Sequence, residues 1–229
     1  MQIVILAAGR GTRMGQLTVD TPKPMLEIKG KPILAYKIET LPEEVDEVIL
    51  VVGYLRDQIQ RYFGNEYAGK KISYVVQEKL EGSGAALHLA KDILRNDFLV
   101  MMGDDLYMKK DIERVMQHKL AVLGLEVEEP KRFGVIYFDE KNNLSDIVEN
   151  PDIPAPALAN IALYKLNKDF FNYPLVRIPN GEYGLPQTMI KMMDKHKIVV
   201  EKATGWFPIG NPEDLEKAQK IIEKFHPVK

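Results

Sequence analysis

Cysteine is absent from this chain and tryptophan occurs once. Without cysteine there can be no disulfide framework, no thiol nucleophile and no cysteine-ligated zinc, and the redox compartment is left open. Long apolar runs are missing too. The longest, Ile3 to Ala8, falls far short of the roughly 20 residues that a membrane-spanning helix needs. No cationic leader precedes it, so the sequence reads as a cytoplasmic protein with no membrane partner. Charge of one sign is also lacking: 31 Lys and Arg against 33 Asp and Glu leave a net charge of −2. Such a surface has no broad basic field to draw in nucleic acid, so any anion must be held locally. The four histidines, at positions 88, 118, 196 and 226, are scattered with no metal-ligand spacing, and no Ser-His-Asp set can be assembled. There is no internal repeat, low-complexity segment or linker. The 229 residues can bury one sizeable core.

What is present begins with rhythm. Short apolar runs alternate with amphipathic stretches through the first half, as in a mainly parallel βαβ sheet. Strands are predicted at Gln2–Ala7, Glu47–Val52, Ile72–Gln77 and Phe98–Met102, and helices at Pro32–Thr40, Leu55–Phe63, Gly84–Leu94 and Asp111–His118. The second half offers strands at Ala121–Val127, Val135–Asp139, Leu144–Val148 and Ala159–Leu166 with almost no helix between them. That predicts an antiparallel extension walling one side of a pocket. A helix from Pro212 to about Phe225 closes the chain, with Asn211 as its N-cap.

The first strand runs straight into Ala7-Ala8-Gly9-Arg10-Gly11-Thr12-Arg13-Met14. Two glycines let the backbone pass close to a bulky anion and point N–H groups at phosphate oxygens. Arg13 adds a planar fork and Lys23 a point charge. Lys23 stands between Pro22 and Pro24, which stiffen the strap that carries it. The dinucleotide fingerprint fails, because the sixth position from Gly9 is Met14; the P-loop fails, because Gly11 is followed by Thr12-Arg13. An ordinary strand–turn–helix connection with surface cations is the bland alternative. A second apolar strand ends abruptly in Gly103-Asp104-Asp105. Ligands of open parallel sheets bind beyond the carboxyl ends of the strands, so these carboxylates emerge where the glycine loop does. There a hard oxygen ligand suits Mg²⁺ bridging triphosphate oxygens. A solvated turn is the alternative.

Leu6-Ala7-Ala8-Gly9-Arg10-Gly11-Thr12-Arg13-Met14 followed by Thr21-Pro22-Lys23-Pro24-Met25 resembles the amino-terminal signature of the sugar-1-phosphate nucleotidylyltransferases, also called nucleotide-sugar pyrophosphorylases, with Ala8 where many members carry glycine. The resemblance runs through essentially the whole chain. It implies a three-layer α/β/α Rossmann-like nucleotidyltransferase fold with a mixed central sheet. The whole of 1–229 would be one such domain, with 1–118 as the nucleotide-binding half and 119–229 as the acceptor-binding half. It implies the reaction of a nucleoside triphosphate with a sugar 1-phosphate, with UTP or dTTP favoured, and Mg²⁺ as cofactor. Leu6, Ala7, Ala8, Gly9, Gly11, Thr12 and Arg13 would cradle the nucleotide, and Gln77 with Gly82 and Ser83 would read its base. Arg13, Lys23 and Asp104 would be catalytic, Asp104 holding the metal. Gly134, Glu149 and Asn160 would face the acceptor.

Two departures stand out. The family lysine that grips the sugar phosphate is Asn150 here, so a charge-assisted contact of roughly 1.5–3 kcal/mol becomes a neutral one worth about half. The second metal aspartate is Pro208, which offers no donor; Asn211 and Asp105 are the nearest substitutes. These departures keep two other readings open: a cytidylyltransferase for a non-hexose phosphate such as phosphocholine, and a non-catalytic nucleotide-sugar-binding regulator. Oligomeric state is not specified; a homo-oligomer is compatible with the sequence.

Overall fold

The computed structural model describes residues 1–226. The β-branched runs of the first half make parallel strands: β1 (Gln2–Ala7), β2 (Glu47–Val52), β3 (Lys70–Val76) and β4 (Asp97–Met102). β1 lies between β2 and β4 in parallel register, Val4 opposite both Ile49 and Val100. Both faces of these strands are buried, which is why their sequences are continuously apolar rather than alternating. Alternate residues feed two cores. Val4, Ile49, Val51 and Val100 join Ala86, Leu87 and Leu185 on one face, while Ile3, Ile5, Val48 and Leu50 join Leu34, Ile38 and Ile112 on the other.

The helices supplying those layers are α1 (Ile33–Thr40), α2 (Arg56–Phe63), α3 (Ser83–Leu89), α4 (Lys109–Met116) and α5 (Leu185–Ile190). The predicted helix Gly84–Leu94 is shorter than expected. It ends at Leu89 and continues as a 3₁₀ turn over Lys91–Ile93, which still delivers Ala90 and Leu94 to the core.

The second half adds β6 (Ala121–Val127), β7 (Gly134–Phe138), β8 (Leu144–Glu149) and the long β9 (Ala157–Asn167). β9 runs antiparallel to β4 through Leu163–Asn167, so the two halves share one mixed sheet whose order is β8-β7-β9-β4-β1-β2-β3, with β6 also paired to β9. Three elements had no clear signal in the sequence. β10 (Val199–Lys202) adds to β6, and the short strands β5 (Asp105–Tyr107) and β11 (Trp206–Pro208) form an antiparallel clasp. The closing helix α6 (Pro212–Phe225) starts as predicted, the Asn211 side-chain oxygen Oδ1 accepting the Asp214 N–H at 2.8 Å. It buries Ala218, Ile222 and Phe225 against Met14, Leu26 and Ile209, which holds the strap around Lys23 onto the body. Three-layer α/β/α architecture with a mixed central sheet is therefore the fold.

Candidate active site

The carboxyl ends of β1, β3 and β4 open onto one cavity of about 520 Å³. Its lining includes every residue assigned above to the nucleotide or to catalysis: Leu6, Ala7, Ala8, Gly9, Gly11, Thr12, Arg13, Lys23, Gln77, Gly82, Ser83 and Asp104. Segments separated by up to about a hundred positions thus converge because neighbouring parallel strands end at the same edge.

The two loop glycines have different reasons. Gly11 sits at φ +65°, and a Cβ there would come within 2.8 Å of the Lys23 Cβ. Its conformation and its lack of a side chain let the loop lie directly on the Pro-Lys-Pro strap. Gly9 has open space: beyond its own chain neighbours, no atom of the described residues comes within 4 Å of where its Cβ would be. The fold places no demand there, so the free space belongs to the cavity.

Lys23 is almost wholly buried, and its ammonium donates to Oδ2 of Asp104, whose side chain is 29 % exposed. The two charges that the sequence suggested for phosphate and metal are thus paired to each other. Arg13 is exposed and lies beside Gly210, at the start of the segment leading to α6. Asp104 itself is fixed through its carbonyl, which accepts the Ile209 N–H at 3.3 Å.

Asp105 faces away from the cavity, as successive residues of an extended chain do. It is buried in the β5/β11 clasp opposite Pro208 and accepts a hydrogen bond of 3.3 Å from the Tyr107 hydroxyl. Burial, reinforced by the Asp104 charge, pushes its carboxyl up to about 7. Behind it lies Lys37 of α1, also buried, its ammonium 4.4 Å above the Tyr107 ring and without a hydrogen-bond partner among the described residues. Burial lowers that ammonium to about 8, against the raising influence of the two aspartates. Lys37 gave no signal in the sequence because it is one polar position of an ordinary-looking helix.

Around Gln77 the picture is tighter than the motif suggested. Gln77 is buried and its amide donates to the Gly82 carbonyl at 3.4 Å. Gly82, at φ +97°, leaves room for neighbouring backbone: a Cβ there would stand 2.5 Å from the Tyr183 carbonyl oxygen. The Ser83 hydroxyl accepts the Leu185 N–H at 3.1 Å and so ties the start of α3 to the start of α5. The acceptor-side residues do not line the cavity. Gly134 and Glu149 pair in register on β7 and β8. Asn160 secures an irregularity in β9, its amide donating to the Tyr164 hydroxyl at 2.9 Å and its oxygen accepting the Ala162 N–H at 3.1 Å. Glu182 and Gly210 line the cavity unforeseen, although both lie in segments, Gly181-Glu182-Tyr183 and Trp206 to Leu215, that resemble family blocks.

The description Nucleotidyl transferase belongs to the family model that matches residues 2–224. The chain belongs to the nucleotidyl transferase family. Among relatives of this nucleotidyl transferase is the bifunctional protein GlmU of Methanocaldococcus jannaschii, 36% identical over 225 residues, which cover 97% of this chain and 54% of GlmU. The chain thus spans about half the length of that relative. The UTP–glucose-1-phosphate uridylyltransferase AglF of Haloferax volcanii is 30% identical over 236 residues, covering 98% of this chain and 97% of AglF. In fold, the transferase is similar to a UDP-glucose pyrophosphorylase from Acinetobacter baumanii, with a TM-score of 0.83 at 19% identity over 99% of this chain and 94% of that one.

A magnesium ion fits the donors present in this transferase in one way. Among the described residues no group of three or more acidic or histidine side chains gathers to hold a metal. Asn211 is committed to capping α6, Asp214 accepts the Gly210 N–H at 2.9 Å, and Asp105 points inward. Of the two acidic residues that line the cavity, Asp104 and Glu182, Asp104 is the one at the end of β4, paired with Lys23 beside the Gly9–Arg13 loop. Mg²⁺ is commonly held by one or two carboxylates with substrate phosphates and waters completing its shell, so a single aspartate suffices.

Proposed function

We propose that the chain is a sugar-1-phosphate nucleotidylyltransferase that joins UTP or dTTP to a hexose 1-phosphate. The observation that carries this reading is the convergence of Arg13, Lys23 and Asp104 on the cavity shaped by the Gly9–Arg13 loop. An oxygen of the acceptor phosphate attacks the α-phosphorus in line, the bond from that phosphorus to the bridging oxygen breaks, and pyrophosphate leaves. No covalent protein intermediate is needed. The protein's task in such chemistry is positioning and charge neutralisation. Arg13 holds the departing β- and γ-phosphates. Lys23 exchanges its partner Asp104 for the α-phosphate and the incoming phosphate. Asp104 is the residue that would hold Mg²⁺, which supplies charge neutralisation on the phosphate oxygens when bound. Gln77 and the backbone at Gly82 face the base, where an amide can donate and accept at once. The uridine preference is supported by the name of the relative AglF, which covers nearly the same length.

The test is pyrophosphate release with Mg²⁺ over a grid of the common nucleoside triphosphates against hexose 1-phosphates and phosphocholine. Release with UTP or dTTP and a hexose 1-phosphate is the expected outcome. Release only with CTP and phosphocholine would move the acceptor to a choline phosphate, in keeping with the neutral Asn150. Triphosphate binding with no release anywhere on the grid would identify a regulator instead.

A further inference from the structure

Among the described residues three cationic side chains line the cavity, Arg10, Arg13 and Lys23, and the reaction as described uses only the last two. Arg10 follows Gly9 in the glycine loop, is exposed, and pairs with no carboxylate among the described residues. It is placed all the same. Its guanidinium carbon lies 5.7 Å from the centre of the Tyr54 ring, within range of a cation–π contact. Tyr54 stands in the turn between β2 and α2 and is tied at both ends. Its N–H donates to the Ala8 carbonyl at 3.2 Å, and its hydroxyl donates to the Val19 carbonyl. Gly53 permits this approach, since a Cβ there would stand 2.9 Å from the same Ala8 oxygen. A second tie runs beside the first, the Gln58 side-chain amide of α2 donating to the Asp20 carbonyl at 2.7 Å. The Tyr54 ring thus bridges the glycine loop and the segment that runs on to the Lys23 strap, with Arg10 lying over the bridge.

We infer that Arg10 is a second arginine for the departing β- and γ-phosphates, and that Tyr54 is the positioning residue that holds it at the cavity. The inference rests on the proposed function. A pyrophosphate carries roughly three to four negative charges near neutral pH, and its charge builds as the bond to the α-phosphorus breaks. Arg13 offsets one of these, and Lys23 is already matched by Asp104. Arg10 is the lining cation that is left. A guanidinium laid on a ring keeps its N–H edge free in its own plane, where the fork fits two phosphate oxygens at once. An exposed arginine without the ring samples many rotamers, and a phosphate that recruits it must bear that ordering cost. Because Tyr54 also grips Ala8 and Val19, the guanidinium is held in the same frame as the loop that cradles the triphosphate.

The test divides UTP at the bond that breaks and follows each half by calorimetry: inorganic pyrophosphate with Mg²⁺, and UMP. Arg10→Ala weakens pyrophosphate about tenfold and leaves UMP within about twofold. Arg10→Lys, which keeps the charge and loses the planar fork, recovers only part of that loss. Tyr54→Leu weakens pyrophosphate about threefold in the unaltered background and adds nothing to Arg10→Ala, because the ring acts through the guanidinium. A ring that merely supported the loop would lower the affinity for both ligands in either background. Unchanged pyrophosphate binding in folded Arg10→Ala, equal losses for the two ligands, or a Tyr54→Leu loss that persists without Arg10 overturns the inference and leaves the proposed reaction standing. An unaltered protein that binds neither half overturns the proposed reaction, and the inference with it.

Discussion

Replacing Asp104 with asparagine separates its pairing with Lys23 from the metal-holding role proposed for it. In the nucleotide-free protein Asp104 is the partner of a lysine whose side chain is only 8 % exposed. Removing one member of a buried pair typically costs 3–5 kcal/mol, because the other charge is stranded. Asp104 is 29 % exposed, so water reaches the pair, and about 2–3 kcal/mol is the expected loss. For a chain of this size that lowers Tm by roughly 5–10 °C. Turnover falls at least about 100-fold, as for loss of a transition-state charge partner. Adding Lys23→Met to Asp104→Asn removes the stranded ammonium, so the double variant regains most of the stability and none of the turnover. Urea denaturation followed by tyrosine fluorescence gives the first quantity and pyrophosphate release the second. The reasoning is refuted if Asp104→Asn is as stable as the unaltered protein, or if the double variant is no more stable than the single.

Arg13→Ala should lose at least about 100-fold in pyrophosphate release with an unchanged denaturation midpoint, since the side chain is exposed and pairs with no carboxylate among the described residues. Gly9→Ala, facing empty cavity, should fold with native stability and weaken triphosphate binding measured by calorimetry. Gly53→Ala would meet the Ala8 and Gln77 carbonyls at 2.9 and 3.0 Å and should cost about 1–3 kcal/mol in urea. Lys37 holds its proton less tightly when folded, at about 8 against an ordinary 10.5. Between those values the unfolded chain binds the proton that the folded chain has released, so stability gains a rising contribution with pH. Comparing urea midpoints of the unaltered protein and Lys37→Met from pH 8 to 10 should show that difference; parallel curves would contradict it.

The β1, β2 and α6 boundaries were legible because their signals are local: an unbroken apolar run for a strand buried on both faces, and Asn211-Pro212 for a helix start. The close seating of the loop on the strap was legible because glycine and proline report backbone directly. The β5/β11 clasp was not, since three-residue strands have no periodicity and exist only through a partner distant in sequence. Asp105 shows the cost of that blindness. Sequence placed it beside Asp104 and left it free to help or to be exposed, whereas pairing with Pro208 turns it inward onto Tyr107. Lys37 was invisible for a related reason. It is an unremarkable polar residue on a helix until the tertiary structure sets it behind a carboxylate.

The clasp also bears on how the protein comes to be active. Its two strands are separated by about 100 residues, so on a ribosome the aspartate-bearing strand waits while most of the sheet is made. Until Trp206–Pro208 has emerged, Asp104 has no Ile209 N–H to fix its carbonyl and Asp105 has no interior to turn into. Partly synthesised chains can therefore carry the whole glycine loop and still lack the clasp that orders the Asp104 edge of the cavity, so that edge is completed late in synthesis.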